Sequence, residues 1–223
     1  MITEKRIAGY IESLEAELPP LLQEIEKKAV AEYVPIIKKP TRSLLRFLIH
    51  QNKPKRILEV GTAVGFSSIL MSQYLPKEGR ITTIEKMEKR IKEAEQNINK
   101  AGKQESICLL AGDAAEILHE LSEQGEQYDM IFMDAAKGQY IHFMPDVLKM
   151  LSEGGLLVSD NVLQDGDIVE SRYAVTRRNR TIHSRMREYL YALTHDKTLD
   201  TILLPIGDGV TLSTKGVGDQ YEK

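Results

Sequence analysis

The hydrophobic positions change their spacing along the chain. From Ile7 to Ile25, apolar side chains recur every three or four positions until two consecutive prolines interrupt the pattern. This spacing predicts two amphipathic helices with a break at the prolines. The segment 41–51 repeats the helical pattern and is expected to end before the next proline.

From residue 56 onward, short apolar runs alternate with polar stretches of helical character. The runs predict strands, which lie at 56–60, 80–85, 107–113, 128–134 and 155–160. The stretches between them predict helices at 65–75, 87–101, 114–122 and 138–151, with a long helix at 172–194. Two further apolar runs around Gly207-Asp208-Gly209 indicate a terminal antiparallel hairpin. Such alternation is typical of an α/β fold with a mostly parallel sheet covered by helices.

Composition limits the possible classes of protein. With 223 residues, 42% of them hydrophobic, the chain is expected to be one domain, with N-terminal helices (1–52) capping the site and a sheet core (53–223). The formal net charge of −3 excludes charge-driven disorder and a protein that is basic throughout. A single cysteine, no signal-peptide pattern and no apolar stretch near the roughly 20 residues of a membrane span predict a cytoplasmic protein.

Small and acidic residues follow the first three predicted strands. Ligands of open parallel sheets bind beyond the carboxyl ends of the strands, so these positions are candidates for a nucleotide-type cofactor site. Gly61 and Gly65 permit a tight turn and a close backbone approach at a helix start. Glu85 can accept hydrogen bonds from both ribose hydroxyls, and Gly112-Asp113-Ala114 can hold an adenine edge. The alternatives are ordinary strand-to-helix turns and a dinucleotide site, although the Gly-x-Gly-x-x-Gly fingerprint of the latter is absent.

Oxygen-bearing side chains follow the fourth and fifth predicted strands. Asp134 ends the fourth strand and Asp160-Asn161 ends the fifth, so adjacent parallel strands would bring them to one edge. This set of oxygen ligands suits Mg²⁺ or Mn²⁺. Lys137, one helical turn beyond Asp134, can reach a substrate hydroxyl next to the metal and act as base. Each residue alone is equally a cap, a turn residue or a solvated charge, so the interpretation depends on their convergence.

Basic residues concentrate in two windows that contain no acidic residue. Seven Lys and Arg lie between residues 33 and 58, and six Arg lie between 172 and 187. The second window follows Asp160-Asn161 in the sequence and is expected to border the mouth of the active site. Its arginines can therefore contact RNA phosphates while a single base enters that site. A merely solvated helix face is the alternative. The candidate RNA-binding residues are Arg172, Arg177, Arg178, Arg180 and Arg185.

These motifs carry a resemblance to a known family that extends over nearly the whole chain. It runs through Val34-Pro35, Glu59-Val60-Gly61-Thr62, Glu85, Gly112-Asp113-Ala114, Asp134-Ala135-Ala136-Lys137, Asp160-Asn161 and Pro205-Ile206-Gly207-Asp208-Gly209. On these residues the chain resembles the cation-dependent O-methyltransferases of the catechol and caffeoyl-CoA type. The resemblance implies a Rossmann-like class I methyltransferase fold with a seven-stranded sheet, S-adenosyl-L-methionine as cofactor, Mg²⁺ or Mn²⁺ as metal, and a homodimer.

The resemblance also implies roles for individual residues. Asp134, Asp160 and Asn161 would bind the metal, and Lys137, together with Asp134, would be catalytic. Glu85 would hold the cofactor ribose. The full set of implied cofactor-binding residues is Ile36, Glu59, Gly61, Thr62, Gly65, Ser67, Glu85, Gly112, Asp113, Ala114 and Asp134.

Within the family, the chain is similar to the bacterial tRNA 5-hydroxyuridine methyltransferase branch. Its short N-terminus, Val34-Pro35-Ile36 and the arginine-rich segment after Asp160-Asn161 carry this likeness. It implies a tRNA partner and conversion of wobble 5-hydroxyuridine to 5-methoxyuridine. The 5-oxygen beside the 4-carbonyl is a vicinal pair that can chelate one metal, as a catechol does. A small vicinal-oxygen substrate and a nucleotide-binding module without catalysis are the alternatives, and the intact acidic motifs argue against the second.

Overall fold

The predicted α/β fold with a mostly parallel sheet and a terminal antiparallel hairpin is confirmed by a computed structural model that describes residues 5–216. The seven strands of its mixed sheet are β1 Arg56–Val60, β2 Arg80–Glu85, β3 Ile107–Ala111, β4 Tyr128–Met133, β5 Leu151–Ser159, β6 Leu199–Leu204 and β7 Val210–Lys215. The α-helices are α1 Lys5–Ser13, α2 Pro20–Ala31, α3 Lys39–Asn52, α4 Phe66–Ser72, α5 Glu88–Lys100, α6 Ala114–Glu123, α7 Tyr140–Met150 and α8 Arg180–His195.

Residues Lys5–Ile117 form the first of two compact units. Strands β3, β2 and β1 lie side by side in this order, and both pairs are parallel. Four successive residues of β1, 57–60, are buried, a run typical of a strand that is covered on both faces. Helix α4 is buried along its whole length, and α2 and α3 pack on it. The N-terminal helices therefore cover the segment that follows β1.

A buried arginine ties these N-terminal helices together. Arg42 in α3 is 6% exposed. Its Nη1 donates to Oε1 of Glu26 at 3.0 Å, and its Nη2 lies 3.6 Å from Oε2 of Glu15. The guanidinium carbon also lies 5.9 Å from the centre of the Phe66 ring, at the start of α4. Because a buried charge is tolerated only when it is paired, Arg42 fixes how α2 and α3 meet α4.

Residues 118–216 lie in the second unit. Strands β4 and β5 are parallel, whereas β7 is antiparallel to both β5 and β6, so the predicted hairpin is present. The core of this unit lies along β4 and β5, whose residues Met130–Met133 and Leu157–Ser159 are less than 1% exposed. Within residues 5–216, no helix is long and apolar enough to span a bilayer.

Several predicted boundaries are wrong. β3 ends at Ala111 rather than at residue 113, because Asp113 caps the following helix. β5 begins at residue 151 rather than 155, because Leu151 already pairs with Tyr128 of β4, before the register shifts and Leu156 pairs with Met130. The predicted helix 138–151 is a 3-10 turn, Lys137–Gln139, followed by α7.

The predicted helix 172–194 begins only at Arg180, after a 3-10 turn at Arg177–Asn179. Local hydrogen bonds explain the difference. The Ser171 hydroxyl accepts the N–H of Tyr173 at 3.1 Å, and the Ser171 carbonyl accepts the N–H of Ala174 at 2.9 Å. A serine that bonds nearby main-chain groups in this way offers the backbone an alternative to the helix.

Candidate functional site

Main-chain hydrogen bonds fix the turn that follows β1. The N–H groups of Gly61 and Thr62 both donate to the carbonyl of Ile84 in β2, each at 3.1 Å. Gly61 has a φ of +106° and Gly65 a φ of +79°, values that glycine adopts without steric strain. The chain consequently turns sharply from β1 into α4 at the place where the glycine spacing predicts it.

Glu85, at the end of β2, supports the same turn. Its Oε2 accepts the N–H of Ala63 at 2.9 Å, and its Oε1 accepts those of Lys86 and Met87, also at 2.9 Å. The side chain is half-buried. Because each carboxylate oxygen can accept more than one hydrogen bond, this arrangement is compatible with ribose hydroxyls as additional donors. The ribose contact itself stays a prediction.

The end of β3 has a clear structural role. The N–H of Gly112 donates to the carbonyl of Glu85 at 2.9 Å, which aligns the ends of β2 and β3. Asp113 Oδ1 accepts the N–H of Ala115 at 2.9 Å and so caps α6, while Oδ2 lies 3.6 Å from the Lys86 ammonium. Asp113 is therefore a helix cap, as the structural alternative for this turn predicts. An adenine contact by Gly112-Asp113-Ala114 stays a prediction.

Glu59 is a buried carboxylate beneath the turn. Its Oε2 accepts hydrogen bonds from the Ser68 and Thr83 hydroxyls, both at 2.5 Å, and Thr83 Oγ1 lies 2.6 Å from Thr62 Oγ1. Burial raises the pKa of Glu59, although the surrounding hydroxyls partly oppose this shift. No residue among 5–216 hydrogen-bonds to its Oε1. Glu59 therefore stabilises the turn after β1 through the hydroxyl groups of Ser68 and Thr83.

Sequence reasoning missed Ser68 and Thr83. Thr83 lies opposite Glu59 in the register of the β1–β2 pair, a relation that depends on which strands become neighbours. The other predicted cofactor residues of this unit differ in exposure: Thr62 and Ser67 are 1% and 7% exposed, and Ile36 is half-buried between α2 and α3. All the predicted cofactor-binding residues except Asp134 lie in this first unit.

The predicted metal ligands lie together in the second unit. Met133 at the end of β4 is aligned with Ser159 of β5, so Asp134 and Asp160 leave the sheet side by side. The N–H of Asp160 donates to the carbonyl of Met133 at 3.0 Å. Asp160 is 1% exposed, and its Oδ1 accepts the N–H of Asn161 at 2.8 Å. These oxygen-bearing side chains therefore share one edge of the sheet.

Tyr140, which sequence reasoning missed, lies between these strand ends. Its hydroxyl oxygen is 3.1 Å from the carbonyl oxygen of Met133 and 3.2 Å from that of Asp160, and it accepts the N–H of Ala135 at 3.2 Å. Its pKa is well above the usual range, first because it is buried, and also because Asp134 and Asp160 carry negative charge nearby. Both carboxylates thus raise the pKa of one buried hydroxyl that contacts the ends of both strands.

Two carboxylates and an amide that follow the aligned ends of β4 and β5 are a set of oxygen ligands that fits a hard divalent cation. Such an ion would offset the repulsion between Asp134 and Asp160, and oxygen ligands are those that Mg²⁺ and Mn²⁺ prefer. Within residues 5–216, no cluster of three or more His, Cys, Asp or Glu side chains could hold a metal. Asn161 as the third protein ligand stays a prediction.

The turn between β6 and β7 supports the segment that follows Asn161. The N–H groups of Val162 and Leu163 donate to the carbonyls of Gly209 and Asp208, at 3.0 and 2.8 Å. Gly209 has a φ of +87°, and a β-carbon at this position would lie 2.3 Å from Cγ of Leu163. Only glycine fits here, so the hairpin turn and the metal motif depend on each other.

Lys137 is half-buried in the 3-10 turn after β4, and the arginine-rich helix α8 packs on this turn. Arg185 Nη1 donates to the carbonyl of Gly138 at 3.2 Å. A β-carbon on Gly138 would lie 3.5 Å from Cγ1 of Ile182. The arginine-rich segment therefore lies beside the candidate base.

The arginines of residues 172–187 differ in their environments. Within the described part of the chain, none of the six forms a salt bridge with an acidic residue. Arg187 donates to the carbonyl of Ile168 at 3.4 Å, much as Arg185 bonds Gly138, so both also support the local fold. Arg172, Arg177 and Arg178 are exposed. This surface carries positive charge that no carboxylate of residues 5–216 neutralises by a direct contact.

Comparison with known proteins agrees with this geometry. The sequence profile of a family described as O-methyltransferase matches residues 12–216. A catechol O-methyltransferase from Niastella koreensis is 39% identical over 127 residues, which cover 56% of this chain and 58% of that protein. Caffeoyl-CoA O-methyltransferase 1 from Eucalyptus globulus is 31% identical over 171 residues, which cover 75% of this chain and 70% of that protein.

Solved structures show the same likeness. The crystal structure of the O-methyltransferase TomG from Streptomyces achromogenes, which is involved in tomaymycin synthesis and was determined in complex with S-adenosylmethionine, superimposes with a TM-score of 0.81. The two chains are 26% identical, and the match covers 95% of this chain and 96% of the other. The family profile and the fold agree, and the chain belongs to the O-methyltransferase family.

Proposed function

We propose that the chain is an S-adenosylmethionine- and divalent-metal-dependent O-methyltransferase that converts 5-hydroxyuridine in tRNA to 5-methoxyuridine. One observation carries the proposal: Asp134 and Asp160-Asn161, which follow two aligned strand ends, lie in the same unit as the arginine-rich helix that packs on the turn bearing Lys137. A metal site for vicinal oxygens and a surface for phosphates are thus parts of one unit. A single domain, a cytoplasmic location and a homodimer belong to the same proposal.

The cofactor part of the proposal rests on the turn after β1. S-adenosylmethionine, the ligand of TomG, supplies a methyl group on a sulfonium. The left-handed glycines of the turn keep the backbone open to a ligand, and Glu85 holds Ala63 and presents its carboxylate toward ribose hydroxyls. Glu59, Thr83 and Ser68 fix the turn from below, so the binding surface is formed before the ligand arrives.

The residues of the second unit supply substrate alignment and proton removal. Asp134, Asp160 and Asn161 would hold the divalent ion, which favours the ionised form of a coordinated hydroxyl. Lys137 would take the hydroxyl proton on its Nζ, and the cofactor would supply the methyl group to the resulting oxygen, with its sulfur released as the neutral thioether. The products are a methyl ether, S-adenosylhomocysteine and a proton. Tyr140 keeps the two strand ends aligned, because its hydroxyl contacts main-chain groups of both.

The substrate choice follows from charge and chemistry. The 5-oxygen and 4-carbonyl of 5-hydroxyuridine form a vicinal pair, and an unpaired loop base costs less to extract than a paired one. The exposed arginines offer contacts to the flanking phosphates. A small vicinal-oxygen substrate is the second candidate, and the names of the relatives from Niastella koreensis and Eucalyptus globulus favour it.

The test is mass spectrometry of nucleosides from tRNA that carries 5-hydroxyuridine, after incubation with the protein, S-adenosylmethionine and Mg²⁺. A catechol is treated in parallel. We expect a mass gain of about 14 Da on 5-hydroxyuridine that a chelator abolishes, because the metal favours the reactive oxyanion. Methylation of the catechol alone would support the second candidate, and no methyl transfer to either would refute both.

A further variant set separates RNA binding from chemistry. Combined replacement of Arg177, Arg178 and Arg180 with Ala should lower activity on tRNA and leave catechol methylation, where present, unchanged. Arg187→Ala, in α8 like Arg180, is the control, since its guanidinium donates to the carbonyl of Ile168. Unchanged activity of the triple variant on tRNA would contradict the RNA assignment.

A further inference from the structure

Tyr173 is an exposed aromatic side chain among the arginines of residues 172–187. It is 84% exposed. The guanidinium carbon of Arg180 lies 5.9 Å from the centre of its ring. One face of the ring is therefore near a cation, and the other is open to solvent. A ring in this setting offers a flat, electronically polarised surface to a ligand.

The backbone of Tyr173 lies in a turn that side-chain and main-chain hydrogen bonds define. The Tyr173 N–H donates to Oγ of Ser171 at 3.1 Å, and Val175, two residues further on, is 6% exposed. Arg180 Nε donates to the carbonyl of Val175 at 3.4 Å. The tyrosine and the guanidinium near it are thus attached to the same short turn. This attachment lowers the entropy that is lost when a ligand stacks on the ring.

The turn is also connected to helix α8. His183, which is 2% exposed, places its Nε2 at 3.1 Å from the carbonyl oxygen of Glu170, directly before the turn. Because α8 packs on the turn that carries Lys137, the position of Tyr173 is set by the element that borders the candidate base.

We propose that Tyr173 is a stacking platform for a nucleobase adjacent to the methylated nucleotide, with Arg172, Arg177 and Arg178 contacting the adjoining phosphates. The inference rests on the RNA substrate proposed above. Bases of single-stranded RNA stack on aromatic side chains and guanidinium planes, while arginines track the backbone. An exposed ring beside arginines without acidic partners matches a ligand in which flat bases alternate with phosphates.

Tyr191 provides a matched control within the same unit. It is 66% exposed, and its ring is stacked on that of His195, with centroids 3.8 Å apart and an interplanar angle of 18°. One face of Tyr191 is therefore occupied by a protein ring. A substitution there tests the effect of losing an exposed tyrosine without removing the proposed platform.

The chain contains no tryptophan, so a single substitution can install a unique fluorophore. Tyr173→Trp is titrated with an anticodon stem–loop RNA, and Tyr191→Trp is titrated in parallel. We expect the RNA to quench the emission of the first variant, because a base stacks on the indole, and to leave the second unchanged. Equal emission changes in both, or none in the first while the RNA binds, would overturn the platform.

Affinity measurements separate stacking from charge. Tyr173→Ala should weaken RNA binding about 5- to 150-fold, whereas Tyr173→Phe retains the ring and should bind like the parent. The dependence of log affinity on log salt should keep its slope in Tyr173→Ala, while Arg177→Ala should reduce the slope by about one. Parental affinity of a folded Tyr173→Ala variant would refute the inference and leave the RNA substrate standing.

Two outcomes distinguish this inference from the proposed function. A parent protein that does not bind the stem–loop at any salt concentration would refute both. Coenzyme A is the second ligand to be titrated into Tyr173→Trp, because it also combines an adenine with phosphates. Quenching of Tyr173→Trp by coenzyme A and not by RNA would overturn the RNA platform and identify the nucleotide part of a thioester as the ligand.

Discussion

Gly209 connects the terminal hairpin to the metal motif, and its replacement tests that connection. In Gly209→Ala, the new β-carbon would lie 2.3 Å from Cγ and 2.6 Å from Cβ of Leu163. Atoms cannot approach so closely, and the obstructing Cβ belongs to a side chain fixed to its backbone. The segment 161–163, or the hairpin turn itself, must therefore move.

The expected cost has two parts. A left-handed backbone imposes about 1–2 kcal/mol on a residue with a β-carbon, and overpacking a filled site adds roughly 1–3 kcal/mol. Together they should lower the free energy of unfolding by about 2–5 kcal/mol, a large fraction of the 5–15 kcal/mol typical of a domain. Gly125→Ala is the matched control: its φ is +75°, but nothing lies within 4 Å of an added β-carbon.

Two measurements are needed. Urea unfolding should show the control losing only the backbone part of the cost, about 1–2 kcal/mol, and Gly209→Ala losing clearly more. Calorimetric titration with Mn²⁺ should show weaker binding in Gly209→Ala and parental binding in Gly125→Ala, because only the first displaces the residues beside Asn161. If the two variants matched in both stability and Mn²⁺ affinity, the hairpin turn would not position the metal motif.

Three shorter predictions concern buried charges. Asp160→Ala should abolish metal-dependent turnover while S-adenosylmethionine still binds, and full turnover with chelator present would remove the metal from the mechanism. Burial raises the pKa of Glu59, so the folded state binds the carboxyl proton more tightly than the unfolded state does. The protonated carboxyl therefore contributes fully to the free energy of unfolding below about pH 4.5, and this contribution falls as the pH rises through the raised pKa. Urea unfolding across this range should show that decline in the parent and not in Glu59→Gln, and parallel profiles would refute it. Arg42→Ala should lower the free energy of unfolding by about 3–5 kcal/mol, because it leaves Glu26 and Glu15 without their partner, whereas the exposed Lys28→Ala should cost less than about 1 kcal/mol. Similar losses for both lysine and arginine variants would contradict the reasoning.

Local pattern predicts the strands of this protein well, because buried parallel strands are short apolar runs between polar segments. β1 and β2 have the bounds that their sequences predict. Strand ends are predicted less well, since an acidic residue can continue a strand or cap the next helix, as Asp113 does. The start of α8 depends on the Ser171 turn, where a single hydroxyl competes with helix formation.

The neighbouring positions of Asp134 and Asp160 could be predicted because these residues follow strand ends that the sheet brings together. Their supports could not be predicted in the same way. Thr83 acts on Glu59 through strand register, and Gly209 acts on Leu163 from a hairpin that is 46 positions away in the sequence. In the sequence, Tyr140 is indistinguishable from an aromatic core residue. Only the structure shows that its hydroxyl contacts two main-chain carbonyls. Such roles arise from tertiary contacts that no local pattern encodes.

Hydrogen bonds anchor the stretch of residues 163–187 near both of its ends. Its first residue is tied to the hairpin through Asp208, and its helix is tied to Gly138 through Arg185. Between these two fixed points, the exposed positions Arg172, Arg177 and Arg178 can change in charge while the buried Ile168 and Val175 keep the stretch packed. If the proposed function holds, grafting this stretch between relatives should change which acceptor is methylated while the residues at the ends of β4 and β5 stay the same.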